Sequence, residues 1–378
     1  MGYTMGLNLL LLMAMVATNI LSLYHLSSTL QSPKSTKAPP PVPDELLRQL
    51  HTIRATINHL TRLQQSSSAN PAANTASTKP NIPSDLLLYS RISPIASSCH
   101  NHPDLLHKYM SYIRFSPCPS DSDLAEALIL RGCHPLPRRR CFSRTPQKPT
   151  SSLPPNPFPS YLPDSNVIWD KYSCKSFDCL NRQNPSLGFD PSREISKFTS
   201  YKSELDLPIQ QLLQLAKSAK SVLRLGLDIG GGTGGFAATM KLYNVTVVTT
   251  TMNMAAPYSE AAALRGLVPL HVPLQQRLPL FDGVVDLVRL GHAVNRWIPL
   301  TMMEFLFYDV DRVLAGGGFL WVDHFFSKRA DLEKVYAPFL GKLGYKKVKW
   351  ATANKTDAGG LKNGEVYLTA LLQKPVSR

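Results

Sequence analysis

Asp228 and the glycines behind it are the residues best suited to ligand chemistry in this chain. The stretch Val222-Leu-Arg-Leu-Gly-Leu-Asp-Ile-Gly-Gly-Gly-Thr-Gly-Gly-Phe236 runs from an apolar β-type segment to a carboxylate, then to glycines at 230, 231, 232 and 234. Glycine lets the backbone take positive φ and lets a flat, polar ligand lie against main-chain amides. A helical pattern resumes from Phe236 to Leu242, so the expected local structure is strand, tight turn, helix. A second reactive group lies downstream in Arg289-Leu-Gly-His-Ala-Val-Asn-Arg296. His292 is the candidate general base there, because an imidazole titrates near neutral pH. Arg289 and Arg296 are candidate partners for an anionic acceptor. Asp323 and His324, at the end of a later apolar run, are further acid–base candidates.

These groups need a frame, and the pattern from Phe189 onward supplies one. Strand and helix signals alternate, which implies a parallel sheet with helices on both faces. Strands are expected at 222–229, 245–251, 268–272, 284–290 and 319–324, with a terminal antiparallel pair at 345–352 and 366–372. Helices are expected at 208–220, 259–265, 300–314 and 331–343, the third closed by Gly316-Gly-Gly318. Ligands of such sheets collect outside the carboxyl ends of the strands. That edge would gather Asp228, Arg289, His292 and Asp323.

The register acidic-x-Gly-x-Gly-x-Gly resembles the first motif of class I S-adenosylmethionine-dependent methyltransferases of the type-11 kind. It differs from the Gly-x-Gly-x-x-Gly of nicotinamide sites, which disfavours an oxidoreductase. Leu278-Pro-Leu-Phe-Asp-Gly-Val-Val-Asp-Leu-Val288 resembles that family's post-motif. Asp309-Val-Asp-Arg-Val-Leu-Ala-Gly-Gly-Gly-Phe-Leu-Trp321 resembles its helix end and fifth strand. The N-terminal apolar segment, the Cys- and Pro-containing stem and Gly188-Phe are similar to features of plant membrane-anchored methyltransferase-like proteins. Relatives of those include Golgi pectin methyltransferase-like proteins. The resemblance covers about residues 165 to 375 and the stem more loosely. It implies a Rossmann-like seven-stranded methyltransferase sheet with helices on both faces and S-adenosyl-L-methionine as cofactor. Asp228, Gly230, Gly231, Gly232 and Gly234 would then surround its amino-acid portion.

Two positions depart from the family pattern. The second strand ends Val247-Val-Thr-Thr-Thr-Met-Asn253, without the acid that usually meets the ribose. Thr251 and Asn253 would offer neutral contacts instead, weaker by about 1–2 kcal/mol. After the third strand, in Val272-Pro-Leu-Gln-Gln276, Gln275 stands in for the acid that reads the adenine. These losses keep open a non-catalytic, scaffold-like domain organising other Golgi enzymes. Glu260 reads as a helix-start carboxylate.

Composition bounds the rest. The 378 residues carry a formal net charge of +15, which favours polyanionic partners, and an acidic polysaccharide is the expected acceptor. No zinc-finger or RNA-recognition signature accompanies the charge, so nucleic acid is not expected. The triple arginine Arg138-Arg-Arg140 is a further place for an acidic ligand. All six cysteines lie between Cys99 and Cys179, in spacings unlike standard zinc sites, so disulfides in an oxidising compartment are expected and no metal. Their pairing is not deducible. Met5 to Tyr24 is uncharged and long enough to cross a bilayer, and reads as an uncleaved signal anchor. Lys34 and Lys37 on its far side favour a cytosolic domain, whereas the cysteines favour the lumen, and the cysteines carry more weight. The expected organisation is an anchor at 1–30, a Pro/Ser-rich linker with a short helix at 31–85, a cysteine-bearing stem at 86–185 and a methyltransferase domain at 186–378. Leu46, Leu50, Ile53, Ile57 and Leu60 make a heptad-like seam within 44–65 through which two copies could associate. Asn244-Val-Thr at the start of a buried strand and Asn354-Lys-Thr in a hairpin are glycosylation sequons, the second the better placed. The sum is a Golgi-type endomembrane methyltransferase.

Overall fold

The computed structural model describes residues 97–147, 156–291, 293–357, 360–361 and 363–376. All of these belong to one compact unit, Tyr89–Arg378. The apolar segment at 5–24 and the heptad seam at 44–65 lie outside the described residues. Among the described residues no helix is long and apolar enough to cross a membrane.

The stem begins with two short helices, α1 (Pro103–Met110) and α2 (Ser122–Leu130). Their small core holds Cys99, Tyr109, Leu128 and Cys133. Two disulfides close this layer, Cys99–Cys133 and Cys118–Cys141, and a third joins Cys174 to Cys179 beside α3 (Phe177–Gln183). So small a core buries little apolar surface, and the covalent links restrict the unfolded chain in its place. Within the triple arginine, Arg139 is held by both carboxylate oxygens of Asp121 and stacks on Tyr109, while Arg138 and Arg140 are exposed.

Two helices then lead into the sheet. The first, α4 (Pro191–Thr199), is capped by the Asp190 carboxylate; α5 (Ile209–Ser218) follows. The remaining elements are β1 (Leu225–Ile229), α6 (Gly235–Lys241), β2 (Thr246–Thr250), α7 (Tyr258–Leu264), β3 (Val268–Leu270), β4 (Val285–Leu290), α8 (Leu300–Val313), β5 (Leu314–Lys328), α9 (Ala337–Lys342), β6 (Lys346–Asn354) and β7 (Glu365–Gln373). The seven strands run in the order β3-β2-β1-β4-β5-β7-β6, with β7 antiparallel to both neighbours. Strand order reverses at β1 and β4, where a crevice for ligands opens at the carboxyl edge.

Alternation along each strand builds two cores. Leu227, Val288, Leu320 and Val322 face α8 through Met303, Leu306 and Val310. Val247, Leu287, Phe319 and Trp321 face the other way, against Phe236 and Met240 of α6 and Leu212 of α5. Strands covered on both faces become near-continuous apolar runs, which is why β4 and β5 read so clearly in the sequence.

Three local expectations change. Gly316-Gly-Gly318 does not close the preceding helix: α8 ends at Val313, its C-cap Leu314 is already extended, and the glycines belong to β5. A Cβ on Gly318 would lie 2.9 Å from the carbonyls of Ala315 and Asp286, so close backbone approach requires glycine there. β5 also continues to Lys328, past the expected end at His324. Asn244 sits in an exposed left-handed turn before β2 (φ 59°) rather than inside a buried strand. Asn354 is exposed too, at the end of β6, where its side chain accepts from Arg329.

Candidate functional site

The turn from β1 to α6 takes the conformation its glycines allow. Gly230, Gly232 and Gly234 have φ of 72°, 58° and 79°, values that side-chain-bearing residues rarely adopt. Gly231 is required for a different reason. A Cβ there would sit 2.1 Å from Asp228 Oδ2 and 2.7 Å from the Thr249 methyl. The turn is pinned to β2, with the Gly230 amide donating to Thr250 Oγ1 and the Gly231 amide to the Thr250 carbonyl.

Asp228 is fully buried beneath this turn. One carboxylate oxygen accepts from Arg289 Nη1 at 2.7 Å, while Oδ2 has no protein partner. Burial pushes its carboxyl above the ordinary range, against the pull of Arg289. Thr249 Oγ1, beside the same turn, is also buried and unpartnered. Two unpartnered polar atoms beneath the glycine turn are polar capacity that a ligand can complete.

Arg289, expected as an acceptor contact, is committed within the protein instead. It bridges Asp228 and Asp323, donating to Asp323 Oδ2 through Nε (2.9 Å) and Nη2 (2.6 Å). Its guanidinium lies 4.9 to 5.5 Å from the ring centroids of Phe198, Phe236 and Trp321. Burial lowers its affinity for a proton, but the two carboxylates more than restore it, so the guanidinium stays charged. Burial alone would raise Asp323; Arg289 and His324 overcome that and hold it at about 2. His324 Nδ1 lies 2.7 Å from Asp323 Oδ1. Arg296 is likewise internal, bonded to Glu365 and stacked on Trp297. His292 lies outside the described residues.

The remaining sequence candidates are spread along the β2 and β3 side. Thr251 is buried, its amide bonded to the Leu270 carbonyl. Asn253 donates to Glu260 at 2.6 Å and accepts from the Ser259 amide, so Glu260 opens α7 and also fixes Asn253. Gln275 donates to the Leu130 carbonyl of α2, which ties the stem to the loop after β3. His271 and Gln276 reach the stem as well, at Glu126 and His134.

Residues that sequence reasoning passed over complete the setting. A cavity of about 550 Å³ opens beside the charge network, where the expected candidates Arg289, Asp323 and His324 are joined by the unforeseen Phe198, Asp206, Trp321 and Tyr367 among others. Glu194 of α4 is buried against the first turn of α6, close enough that a Cβ on Gly235 would strike its carboxylate. Thr233 and Arg265 both donate to the Gly188 carbonyl, and glycine is required there by a φ of 92° and a Cβ that would lie 2.9 Å from Thr233 Oγ1. Their signal is a register across strands and helices far apart in the chain, which a single sequence does not display.

Residues 227–322, from β1 to the middle of β5, match the family model described as a methyltransferase domain. Over 388 aligned positions the chain is 68% identical to a protein of Arabidopsis thaliana named probable methyltransferase, with all of both chains covered. The chain belongs to the class I S-adenosylmethionine-dependent methyltransferases. The scaffold alternative gives way to an enzyme, and S-adenosylmethionine is the cofactor of this methyltransferase. The turn fits that cofactor: its left-handed glycine backbone and the unpartnered Asp228 oxygen packed against Gly231 suit an ammonium-bearing, phosphate-free ligand. Solved structures with some likeness include the N-methyltransferase NodS of Bradyrhizobium japonicum WM9 (20% identity, 44% of this chain, 93% of that one, TM-score 0.32). A geranyl diphosphate methyltransferase in complex with GPP and sinefungin is another (12% identity, 44% of this chain, 78% of that one, TM-score 0.33).

Proposed function

We propose that this methyltransferase works in the lumen of an endomembrane compartment of the Golgi type and methylates an acidic polysaccharide. The observation that carries the location is the state of the cysteines: all six are joined in three disulfides, and such bonds persist where the surroundings are oxidising. The net charge of +15 supports a polyanionic acceptor by drawing it to the surface. Lining of the cavity supports an acidic sugar, with the ammonium groups of Lys197 and Lys202 for its carboxylate, hydroxyls of Ser186, Ser196 and Ser200 and the carboxylates of Asp206 and Asp357 for its hydroxyls, and the rings of Phe198 and Tyr367. The signal anchor at 1–30 would hold the enzyme to the membrane, and the 44–65 seam would let two copies meet.

The cofactor supplies an electrophilic methyl group on a sulfonium. The chain's own part is to hold it at the β1 turn, with Asp228 and the glycine backbone of residues 230 to 234 around its amino-acid portion. Thr251 and Asn253 would meet its ribose, and Gln275 would have to leave Leu130 to meet its adenine. Alignment and exclusion of water then supply much of the rate.

Location and acceptor are separately testable. Glycan at Asn244 or Asn354, removed by an endoglycosidase and abolished by Asn→Gln substitution, is the expected mark of a lumenal domain. Free thiols at all six cysteines in protein taken from cells under alkylating conditions would contradict it. Transfer of labelled methyl to a uronic-acid oligosaccharide is the expected activity, and labelling of a neutral or cationic small molecule in preference would contradict the acceptor.

A further inference from the structure

We propose that His324 is the general base of this enzyme and that the methyl group goes to a hydroxyl of the acceptor, not to a carboxylate. The inference deepens the function proposed above and rests on the acceptor occupying the cavity beside the charge network.

The geometry begins with an irregularity in β5. Successive strand residues point to opposite faces, so Asp323 and His324 would ordinarily be divided by the sheet. Here the pairing of β5 with β7 slips between Val322 and Phe325, and His324 takes a left-handed φ of 51°. Both side chains consequently line the same cavity. A left-handed, non-glycine residue at a strand bulge is a costly way to place a side chain, and such devices concentrate where a group must be re-aimed.

The re-aimed ring is also oriented. Asp323 accepts twice from Arg289 through Oδ2 and meets His324 Nδ1 through Oδ1. Because Arg289 keeps Asp323 ionised, the neutral imidazole carries its proton on Nδ1, and Nε2 is left with a lone pair. Nε2 points toward Asp206, 3.9 Å away on the cavity wall. A continuous chain of contacts, from Asp228 to Arg289 to Asp323 to His324, therefore links the cofactor turn to a base in the cavity. One clamp fixes both halves of the reaction.

The chemistry follows from that lone pair. As a hydroxyl oxygen of the acceptor bonds to the methyl carbon, the carbon–sulfur bond breaks and its electrons return to sulfur. The hydroxyl proton passes to His324 Nε2, and Asp323 stabilises the resulting imidazolium before the proton leaves to solvent. A carboxylate acceptor has no proton to give and would leave this arrangement idle. Around the ring, burial favours the neutral form, but Asp323 and Asp206 outweigh it and raise the pKa, with Arg289 opposing. Tyr367 from β7 meets the ring edge-on at 5.7 Å, its hydroxyl donating to Asp357. The rate should accordingly climb with pH through a midpoint above that of free histidine.

Two measurements on the full-length protein test this. In the first, methyl-labelled cofactor is given with a uronic-acid oligosaccharide and the product is treated with mild alkali. An ether keeps its label and an ester loses it. The expected result is alkali-stable label, with His324→Gln lowering kcat at least about 100-fold and leaving cofactor binding by calorimetry unchanged. Alkali-labile label, or a His324→Gln rate within about threefold of wild type, overturns the proposal. In the second, nitrogen NMR of the histidine ring needs no acceptor. A neutral ring protonated at Nδ1 that titrates above free histidine, and in Asp323→Asn loses both properties, is expected. A ring protonated at Nε2, or one titrating as free histidine does, overturns it. If the ring behaves as expected while the sugar takes no label, the polysaccharide reading fails and the base stands.

Discussion

The carboxyl edge of the sheet is built from two different materials. At β1 and β2 it is main chain: three glycines in left-handed conformations, with the Gly230 and Gly231 amides pinned to Thr250. At β4 and β5, the adjoining strands, it is charge: a buried arginine between two buried aspartates, with a histidine at the end. Asp228 belongs to both, since one oxygen meets Arg289 and the other faces Gly231. The difference teaches where each half is vulnerable. Backbone sites fail when an atom is added, whereas charge networks fail when one is removed.

Removing Arg289 should have the largest effect. Arg289→Met strands two buried carboxylates, and breaking a buried ion network by taking out one member costs about 3–5 kcal/mol. The penalty should depend on pH. In the wild type, Asp323 is held at about 2, so its stabilising contribution is present above the unfolded carboxylate value and lost as pH falls toward 2. In the variant both carboxyls prefer to be protonated, so stability recovers on acidification. Urea unfolding at pH 7 and pH 4 should show the gap narrowing, and a gap that does not change would mean the network acts by packing alone.

Adding one methyl to the other half comes next. Gly231→Ala places carbon where Asp228 Oδ2 already lies, an overpacking worth about 1–3 kcal/mol. Cofactor affinity should fall by at least about tenfold while the far side of the sheet, monitored through Trp350, stays folded. Unchanged affinity would remove the turn from the binding site.

Smaller changes sharpen the boundary between the halves. Thr250→Val takes away the side-chain acceptor of the Gly230 amide and should cost about 1 kcal/mol in stability. Its effect on His324 titration should be absent, because Thr250 belongs to the backbone half. Gln275→Ala should change cofactor affinity by less than about threefold if the amide keeps its bond to Leu130, and by about tenfold or more if it turns to the adenine. Calorimetry separates the two outcomes.

How much of this was visible in the sequence follows the same division. The glycine register, the β-type runs and the helix periodicities announce the sheet and its turn, because each is a local pattern with a local cause. The long run from Leu314 was divided by its glycines, which read as a helix end. Only pairing with β4 shows that close approach to the Asp286 carbonyl, not a cap, demands Gly318. Arg289 and Asp323 were recognisable as charges at the right edge, yet their bond is one of register between β1, β4 and β5. His324 was recognisable as an acid–base candidate beside Asp323, but its re-aiming into the same cavity was not, because a bulge against β7 is invisible without β7. The stem's hold on Gln275 joins residues 145 positions apart.

The central claim is that the β1 turn holds the methyl donor, with Asp228 clamped beneath it. Titration calorimetry of the full-length protein with S-adenosylmethionine and with its demethylated product tests it most directly. Saturable one-site binding of both is predicted, retained in His324→Gln and lost in a folded Gly231→Ala. Absence of heat with either ligand, or equal binding by Gly231→Ala, would contradict the account.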